Sequence, residues 1–476
     1  TGTMAPPPAG TSPPSRSRGS DDPGLGGRVQ RGANLARLSA STSAGYLASR
    51  VRGWRDPAEA EARFHAETAA KMLELLGTMK GAAMKLGQIA SFVDLDLPPE
   101  AQATYHEVLA DLRNAAPPME SERIAEIVTE AFGAPPEEVF AEWDPTPLAS
   151  ASIGQVHLAR LQDGTQVAVK VQYPGVAEAV ESDLANAEAF APFARLVSPN
   201  LRLKPLLEEM RSRLADELDY QREADYQQAF ADRYEGHPFI RVPRVFSDYS
   251  RPRVLTTEYV PGADFDTMLA TSSPAEQQRY GEIIFRFVFG SLNRFRLFNA
   301  DPHPGNYLFP GDGTVVFLDF GSVKLFPSRI RDLIRTQLKA VVADDRDALM
   351  ASLTEAGFIP EGHRPDVDKL VAWFRIFNRP ILADRDFTYT PDYAREVIAT
   401  TTDPRVGYMD MLRRLNLPPD YLLLNRIQWG VNSILGRLRA RANWHRIMHE
   451  LWDDAPPATP LGEEERPFID ASPYRA

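Results

Sequence analysis

Two short loops constrain this chain more than any other feature: Asp301-Pro302-His303-Pro304-Gly305-Asn306 and, thirteen residues after its Asn, Asp319-Phe320-Gly321. Phosphoryl transfer needs a carboxylate beside the incoming hydroxyl, with an amide and a second carboxylate on the magnesium ions that bridge the phosphates. Asp301, Asn306 and Asp319 supply those three groups. Each alone would pass for a turn-forming Asp or Asn. Upstream, Val167-Ala168-Val169-Lys170 places a lysine inside an apolar strand, where an ammonium is costly unless an anion meets it. Alone, that tetrapeptide is weak, because a strand-end lysine commonly keeps its head in solvent.

One hairpin before Lys170 lies a run of small residues, Ala149-Ser150-Ala151-Ser152-Ile153-Gly154-Gln155-Val156. Small residues let backbone amides approach phosphate oxygens. The run stands where a protein kinase has its glycine-rich loop, and nucleotide contacts are expected from Ala149 to Gly154, from Val156, and from Ala168 next to Lys170. Ala149 and Ala151 replace expected glycines; alanine reaches positive φ only at a cost, so this loop should be stiffer. The Asp301-to-Asn306 spacing matches a kinase catalytic loop, and Asp-Phe-Gly after an apolar strand matches its magnesium-binding turn. The order predicts an α+β, bilobal protein-kinase-like fold with a small mixed β-sheet N-lobe and a helical C-lobe. ATP or ADP with Mg2+ is the expected cofactor, Mn2+ being the alternative ion. Lys170 should set the phosphates, Asn306 and Asp319 the metal, and Asp301 a water or small hydroxyl. Adenine should hang from the backbone of Glu258, Tyr259 and Val260 at the hinge. His303 stands where Ser/Thr kinases usually carry lysine, and reads as a loop-packing residue before a phosphate contact.

Composition narrows the partners. The 476 residues carry a net charge of -12, which argues against nucleic acid as a partner, since phosphate neutralisation needs a basic face. With no cysteine, disulfides and thiolate metal sites are excluded. No apolar run reaches the length of a membrane span, and the start lacks the apolar core of a secretory signal. A cytoplasmic protein, peripheral at the inner membrane face where it meets lipid, is the expectation.

The chain divides into a disordered tail (1–27), a helical extension (28–145), an N-lobe (146–260), a helical C-lobe (261–452) and a loose acidic, Pro-containing tail (453–476). Between Arg28 and Arg55 stand six arginines and no acid, at roughly helical spacing with apolar residues. This is either a surface helix for anionic membranes or, as is commoner, a helix with a solvated arginine face. Helices are expected over Glu59–Phe92, over Ser121–Phe132 with Ser121 as cap, over Val176–Leu196, over Leu203–Tyr234 and beyond Ser328. Strands are expected at Ser152–Leu161 and Gln166–Gln172 around an Asp163-Gly164 turn, and at Arg241–Phe246, Arg253–Tyr259, Tyr307–Phe309 and Val315–Phe320.

Two further motifs give the set a family likeness: Lys85-Leu86-Gly87-Gln88 and Glu217-Leu218-Asp219, the latter running on into Tyr220-Gln221-Arg222-Glu223-Ala224. With them the chain, over roughly 28–350, resembles the UbiB (AarF) group of atypical kinase-like proteins. The resemblance implies that Glu223 is the helix glutamate paired with Lys170 and that Glu217 faces Lys85. It makes Lys85, Gln88, Glu217 and Asp219 regulatory, on N-terminal helices folded over the cleft where a kinase would admit a peptide. It also implies a role in isoprenoid quinone metabolism, with a quinone precursor or other lipid as substrate or regulator. The absence of an Ala-Pro-Glu signature after Gly321 agrees that no peptide is the acceptor. The rival readings are a small-molecule phosphotransferase and a scaffold that binds nucleotide without turnover.

Overall fold

The computed structural model describes residues 119–151, 153–176, 178, 218–416 and 418–474. Helix α1 (Ser121–Phe132) opens it. Glu120, not Ser121, is its N-cap, and no side chain caps it: the Arg123 and Ile124 amides go to the Glu120 carbonyl. Gly133 ends it at φ 76°, and the single turn α2 (Pro136–Val139) follows.

Strands β1 (Glu142–Ser150), β2 (Gly154–Arg160) and β3 (Gln166–Gln172) come next, the hairpin turning at Gly164 with φ 89°. The sheet begins at Glu142, so the boundary drawn at 145 cuts a strand. Pro145 and Pro147 obscure β1 because proline cannot feed a ladder, and its register with β2 shifts on both sides of Pro147. A buried polar seam secures it instead: His157 Nδ1 lies 2.9 Å from the Asp144 carbonyl and Nε2 lies 3.0 Å from Gln155 Nε2. Burial lowers the His157 pKa, and the neutral ring donates at Nδ1 and accepts at Nε2.

After α3 (Tyr220–Arg233) and the two-residue β4 (Ile240–Arg241), β5 (Val254–Glu258) pairs with β3, giving the antiparallel order β1-β2-β3-β5. The strand expected over Arg241–Phe246 ends at Arg241, short of Pro243, and the segment returns to β5 only through an isolated antiparallel bridge at Val245; β4 itself runs parallel to a strand of the other lobe. Successive strand residues point to opposite faces. Val167, Val169 and Val171 therefore meet Ile124, Ile127 and Val128 of α1, while Lys170 turns to α3. The described part of the N-terminal extension thus covers the face opposite Lys170, not the cleft. Residues 1–118 lie outside the described residues, including the expected helix Glu59–Phe92, the arginine-rich segment, Lys85 and Gln88; so do Ser152, nearly all of Val176–Leu196, and Glu217.

The second lobe is built round α5 (Pro274–Gly290), which follows α4 (Phe265–Thr271) and is buried on nearly every side. Its start is well defined: Ser273 and Glu276 form a reciprocal capping box with Pro274 at the first turn. Strands β6 (Leu297–Asn299), β7 (Tyr307–Leu308), β8 (Val315–Phe317) and β9 (Val323–Leu325) lie against it, and Phe287 stacks on Phe317 at 3.7 Å. Beyond them run α6 (Ser328–Ala343), α7 (Arg346–Glu355), α8 (Val367–Phe377), β10 (Phe387–Thr388), α9 (Pro391–Thr402), α10 (Met409–Leu412), α11 (Pro419–Arg437), β11 (Arg441–Ala442) and α12 (Trp444–Asp453).

The end of the chain departs from expectation. Residues Pro460–Ala471 form a helix, α13, capped by Thr459, with Leu461, Glu465 and Ile469 buried. Arg286, fully buried on α5, bonds Glu282, Glu450, Glu465 and the Thr459 hydroxyl, and Arg294 also holds Glu465. The tail read as loose is anchored because its Glu465 answers Arg286 and Arg294, 179 and 171 residues earlier.

Candidate functional site

Lys170 and Glu223 meet where β3 faces α3: Lys170 Nζ lies 2.7 and 2.8 Å from the two carboxylate oxygens, the glutamate only 3% exposed. Asp319 Oδ2 stands 3.9 Å from the same ammonium. Burial alone would lower the Lys170 pKa; the Glu223 and Asp319 carboxylates outweigh it and hold the ammonium well above the ordinary lysine value. The lysine is a fixed cation, its side chain 18% exposed. Asp219 is the N-cap of α3, its Oδ1 accepting the Arg222 amide at 3.0 Å. That cap starts α3 afresh at Tyr220 and sets where Glu223 falls, one turn later.

The catalytic-type loop joins β6 to β7, and the Asp-Phe-Gly turn joins β8 to β9. Because β6 pairs with β9 and β7 with β8, the two loops emerge side by side. Asn299, not singled out in the sequence, ties them: its Nδ2 donates to the Asp319 carbonyl at 3.0 Å and its Oδ1 accepts the Asp301 amide at 3.2 Å. Asn306 Nδ2 donates to the Asp301 carbonyl at 3.0 Å, which commits its nitrogen and leaves Oδ1 as the oxygen it can offer a cation. Asp319 takes the left-handed conformation at φ 61°, tolerable for Asp, and its Oδ1 accepts the Gly321 amide at 3.1 Å. Phe320 is fully buried, 4.9 Å from Phe230 of α3, so the turn and the glutamate-bearing helix share one packing contact. His303 Nδ1 accepts the Gly305 amide, a loop-packing role.

The nucleotide-contact expectations fare unevenly in space. Val156, Ala168 and Lys170 share the open face of the hairpin, and Ala149, Ser150 and Ala151 are accessible at its edge. Ile153 and Gly154 are buried instead. A Cβ on Gly154 would come 2.3 Å from the Val171 carbonyl oxygen, so this glycine serves strand packing. At the hinge, the Glu258 and Tyr259 amides are spent on the Arg244 and Gln166 carbonyls. The Val260 amide is the hinge donor not engaged with any described residue.

A divalent cation fits what remains. Among the described residues no three acidic or histidine side chains converge to hold a metal. An ion at Asn306 Oδ1 and the Asp319 carboxylate would complete its oxygen shell from phosphates and water, as Mg2+ commonly does.

A second residue that sequence reasoning missed braces the loop from behind. Gly430 of α11 lies so near Pro302 that a Cβ would stand 2.6 Å from its Cγ and 2.8 Å from its carbonyl oxygen. Gly430→Ala is expected to push the Asp301 loop out of place and lower phosphate release from ATP by about tenfold to a hundredfold, with nucleotide binding retained. Turnover and binding measured on the same preparation check it; unchanged turnover would show that the loop does not depend on α11.

A strand-borne lysine paired to a helix glutamate, with an Asn loop and an Asp-Phe-Gly turn beneath it, defines a protein-kinase-like nucleotide-binding fold. The profile of the ABC1 atypical kinase-like domain matches residues 111–353, and the chain belongs to that family, the UbiB group. It is 32% identical over 339 residues to the mitochondrial atypical kinase COQ8B of Rattus norvegicus, covering 70% of this chain and 63% of that protein. To the mitochondrial COQ8 of Saccharomyces cerevisiae it is 27% identical, over 79% of this chain and 74% of the relative. To the chloroplastic ACTIVITY OF BC1 COMPLEX KINASE 8 of Arabidopsis thaliana it is 31% identical, over 61% of this chain and 39% of that one. The chain therefore spans between about two fifths and three quarters of the length of these relatives. The solved complex of Mycobacterium tuberculosis Rv3197 with erythromycin superimposes with a TM-score of 0.60 at 30% identity, covering 83% of this chain and 97% of that one.

Proposed function

We propose that this chain is a Mg2+-dependent atypical kinase-fold enzyme that cleaves the γ-phosphate from ATP, with water or a small hydroxyl as acceptor. The observation that carries the reading is Lys170 held between Glu223, at 2.7 Å, and Asp319, at 3.9 Å. Both parts that a kinase must bring together, the lysine–glutamate pair and the metal-turn carboxylate, stand assembled. Bound MgATP would supply the transferable phosphoryl group and the positive charge that neutralises its oxygens. Lys170 binds phosphate oxygens and cannot donate its proton away, because its neighbours keep it charged. Asn306 Oδ1 and the Asp319 carboxylate hold the cation, and Asp301 orients the attacking oxygen. The Asn299 and Asn306 bonds fix the backbone of that aspartate.

The acceptor we infer is not a peptide, because helical structure resumes at Ser328, seven residues after Gly321, with no Ala-Pro-Glu segment between. Isoprenoid quinone or lipid metabolism is the proposed setting, on the family likeness. No helix among the described residues is long and apolar enough to cross a membrane, and the lipid contact we propose is made by the arginines of 28–55. The test is phosphate release from ATP with and without Mg2+ and anionic liposomes. Release that needs Mg2+ and rises with lipid supports the proposal. Nucleotide binding without release favours a scaffold, and label transferred to a soluble hydroxyl compound favours a small-molecule phosphotransferase. Liposome binding unchanged on deleting 1–55 would remove the membrane part.

A further inference from the structure

Helix α12 carries two histidines one turn apart, His445 and His449, with Asp453 one turn further on, so the three share a face. All three are partly exposed, the His449 and Asp453 side chains at 35% and 38%. The two rings are tilted by 56° with their centres 4.7 Å apart. Two imidazoles on one ion, with metal–nitrogen bonds of about 2.0–2.1 Å, hold their ring centres about 4.5 to 5 Å apart.

The proton positions say more than the spacing does. His445 Nδ1 lies 2.8 Å from the Ile381 carbonyl oxygen, which can only accept, so that nitrogen carries the proton of the neutral ring. His449 Nδ1 lies 2.9 Å from Asp453 Oδ2. Burial would raise the Asp453 pKa, but Lys339 and His449 hold it below the ordinary value, so the carboxylate is ionised and the His449 proton is on Nδ1 as well. Each neutral ring therefore keeps its bare lone pair on Nε2, and among the described residues neither Nε2 has a hydrogen-bond partner. An Nδ1–H held by a backbone carbonyl or a carboxylate, with Nε2 open, is how proteins orient the histidines that ligate metal. The last turns of a helix also favour positive charge.

We propose that His445 and His449 form a binding site for one divalent transition-metal ion such as Zn2+, ligated by Nε2 of both rings, with water completing its shell. Imidazole suits such ions, whereas Mg2+ takes oxygen ligands, so the site does not compete for the cation of Asn306 and Asp319. Through the two Nδ1 bonds the ion braces α12 against the turn at Arg379–Ile381 and, by way of Asp453, against Lys339 of α6.

Calorimetric titration of the full, tag-free chain with Zn2+ in excess Mg2+ tests this. The wild type should bind one Zn2+, and His445→Gln and His449→Gln should each weaken that binding at least about tenfold. Asp453→Asn keeps both imidazoles and removes the carboxylate behind one of them, so it should weaken binding by about tenfold; a purely structural Asp453 would move the melting temperature and leave Zn2+ affinity alone. Asp319→Asn should bind Zn2+ as the wild type does. Melting curves without metal show whether each variant is folded, and added Zn2+ should raise the melting temperature of the wild type but not of the histidine variants. Should a histidine variant fail to fold, Asp453→Asn and Asp319→Asn decide the matter between them. No Zn2+ bound in excess Mg2+, affinity within about threefold of wild type in the folded histidine variants or in Asp453→Asn, or binding lost in Asp319→Asn would each overturn the proposal.

Discussion

Asp319→Asn is expected to lower Mg2+-dependent phosphate release from ATP by about a hundredfold to a thousandfold while the protein stays folded. The substitution is unusually clean here. Asp319 sits at φ 61°, and Asn is the other side chain that enters that region readily. The amide oxygen can still accept the Gly321 amide now held at 3.1 Å, so the turn need not move. What disappears is charge: one ligand of the cation and the second carboxylate near Lys170. Glu223 remains at 2.7 Å, so the lysine stays paired and the melting temperature should move by no more than about 2 °C. Lys170→Met makes a useful contrast. It takes the ammonium away from the buried Glu223 carboxylate, so activity and stability should fall together. Phosphate release and thermal melting on both variants separate the two effects, and an Asp319→Asn protein within threefold of wild type would remove Asp319 from the chemistry.

Much of this geometry was legible because the chemistry is concentrated in short segments. The two loops and Val167-Ala168-Val169-Lys170 announce themselves by residue type and spacing, and the Asp163-Gly164 turn by its glycine. What stayed hidden depends on distant partners or on backbone proximity. Asn299 is one asparagine at a strand end, and only the pairing of β6 with β9 sets it between Asp301 and Asp319. Gly430 reads as a defect in a helix until Pro302 is seen beneath it. Gly154 looked like a phosphate-loop glycine and proves to be a packing one, because nothing local reports how close β3 runs. The prolines that hid β1 misled in the opposite sense, masking a strand whose hold is partly a buried histidine.

The C-terminal helix is the clearest case of long-range pairing, and it carries the second large expected effect: Glu465→Ala should cost about 3 to 5 kcal/mol of stability. Glu465 is 1% exposed and accepts from Arg286 and Arg294, while His237 Nε2 lies 3.3 Å away. His237 Nδ1 accepts the Ile240 amide, so the ring's proton is on Nε2 and is given to the carboxylate. Removing Glu465 therefore strips partners from two arginines and a histidine at once, whereas Glu465→Gln keeps the shape and should cost less. The pH dependence follows from the same contacts. Burial alone would raise the Glu465 pKa, but the arginines and His237 hold it far below the ordinary carboxylate range. Its contribution is full above the unfolded value of about 4.3 and is lost as pH falls. Burial lowers the His237 pKa, so below about 6.5 the unfolded chain takes up a proton that the folded chain refuses, and stability falls further. Urea midpoints at pH 7, 5.5 and 4 should thus decline steadily for the wild type, and the Glu465→Ala curve should start lower and fall less between 5.5 and 4. A variant as stable as wild type at pH 7 would mean that Arg286 is satisfied by Glu282 and Glu450 alone and that α13 is dispensable to the C-lobe.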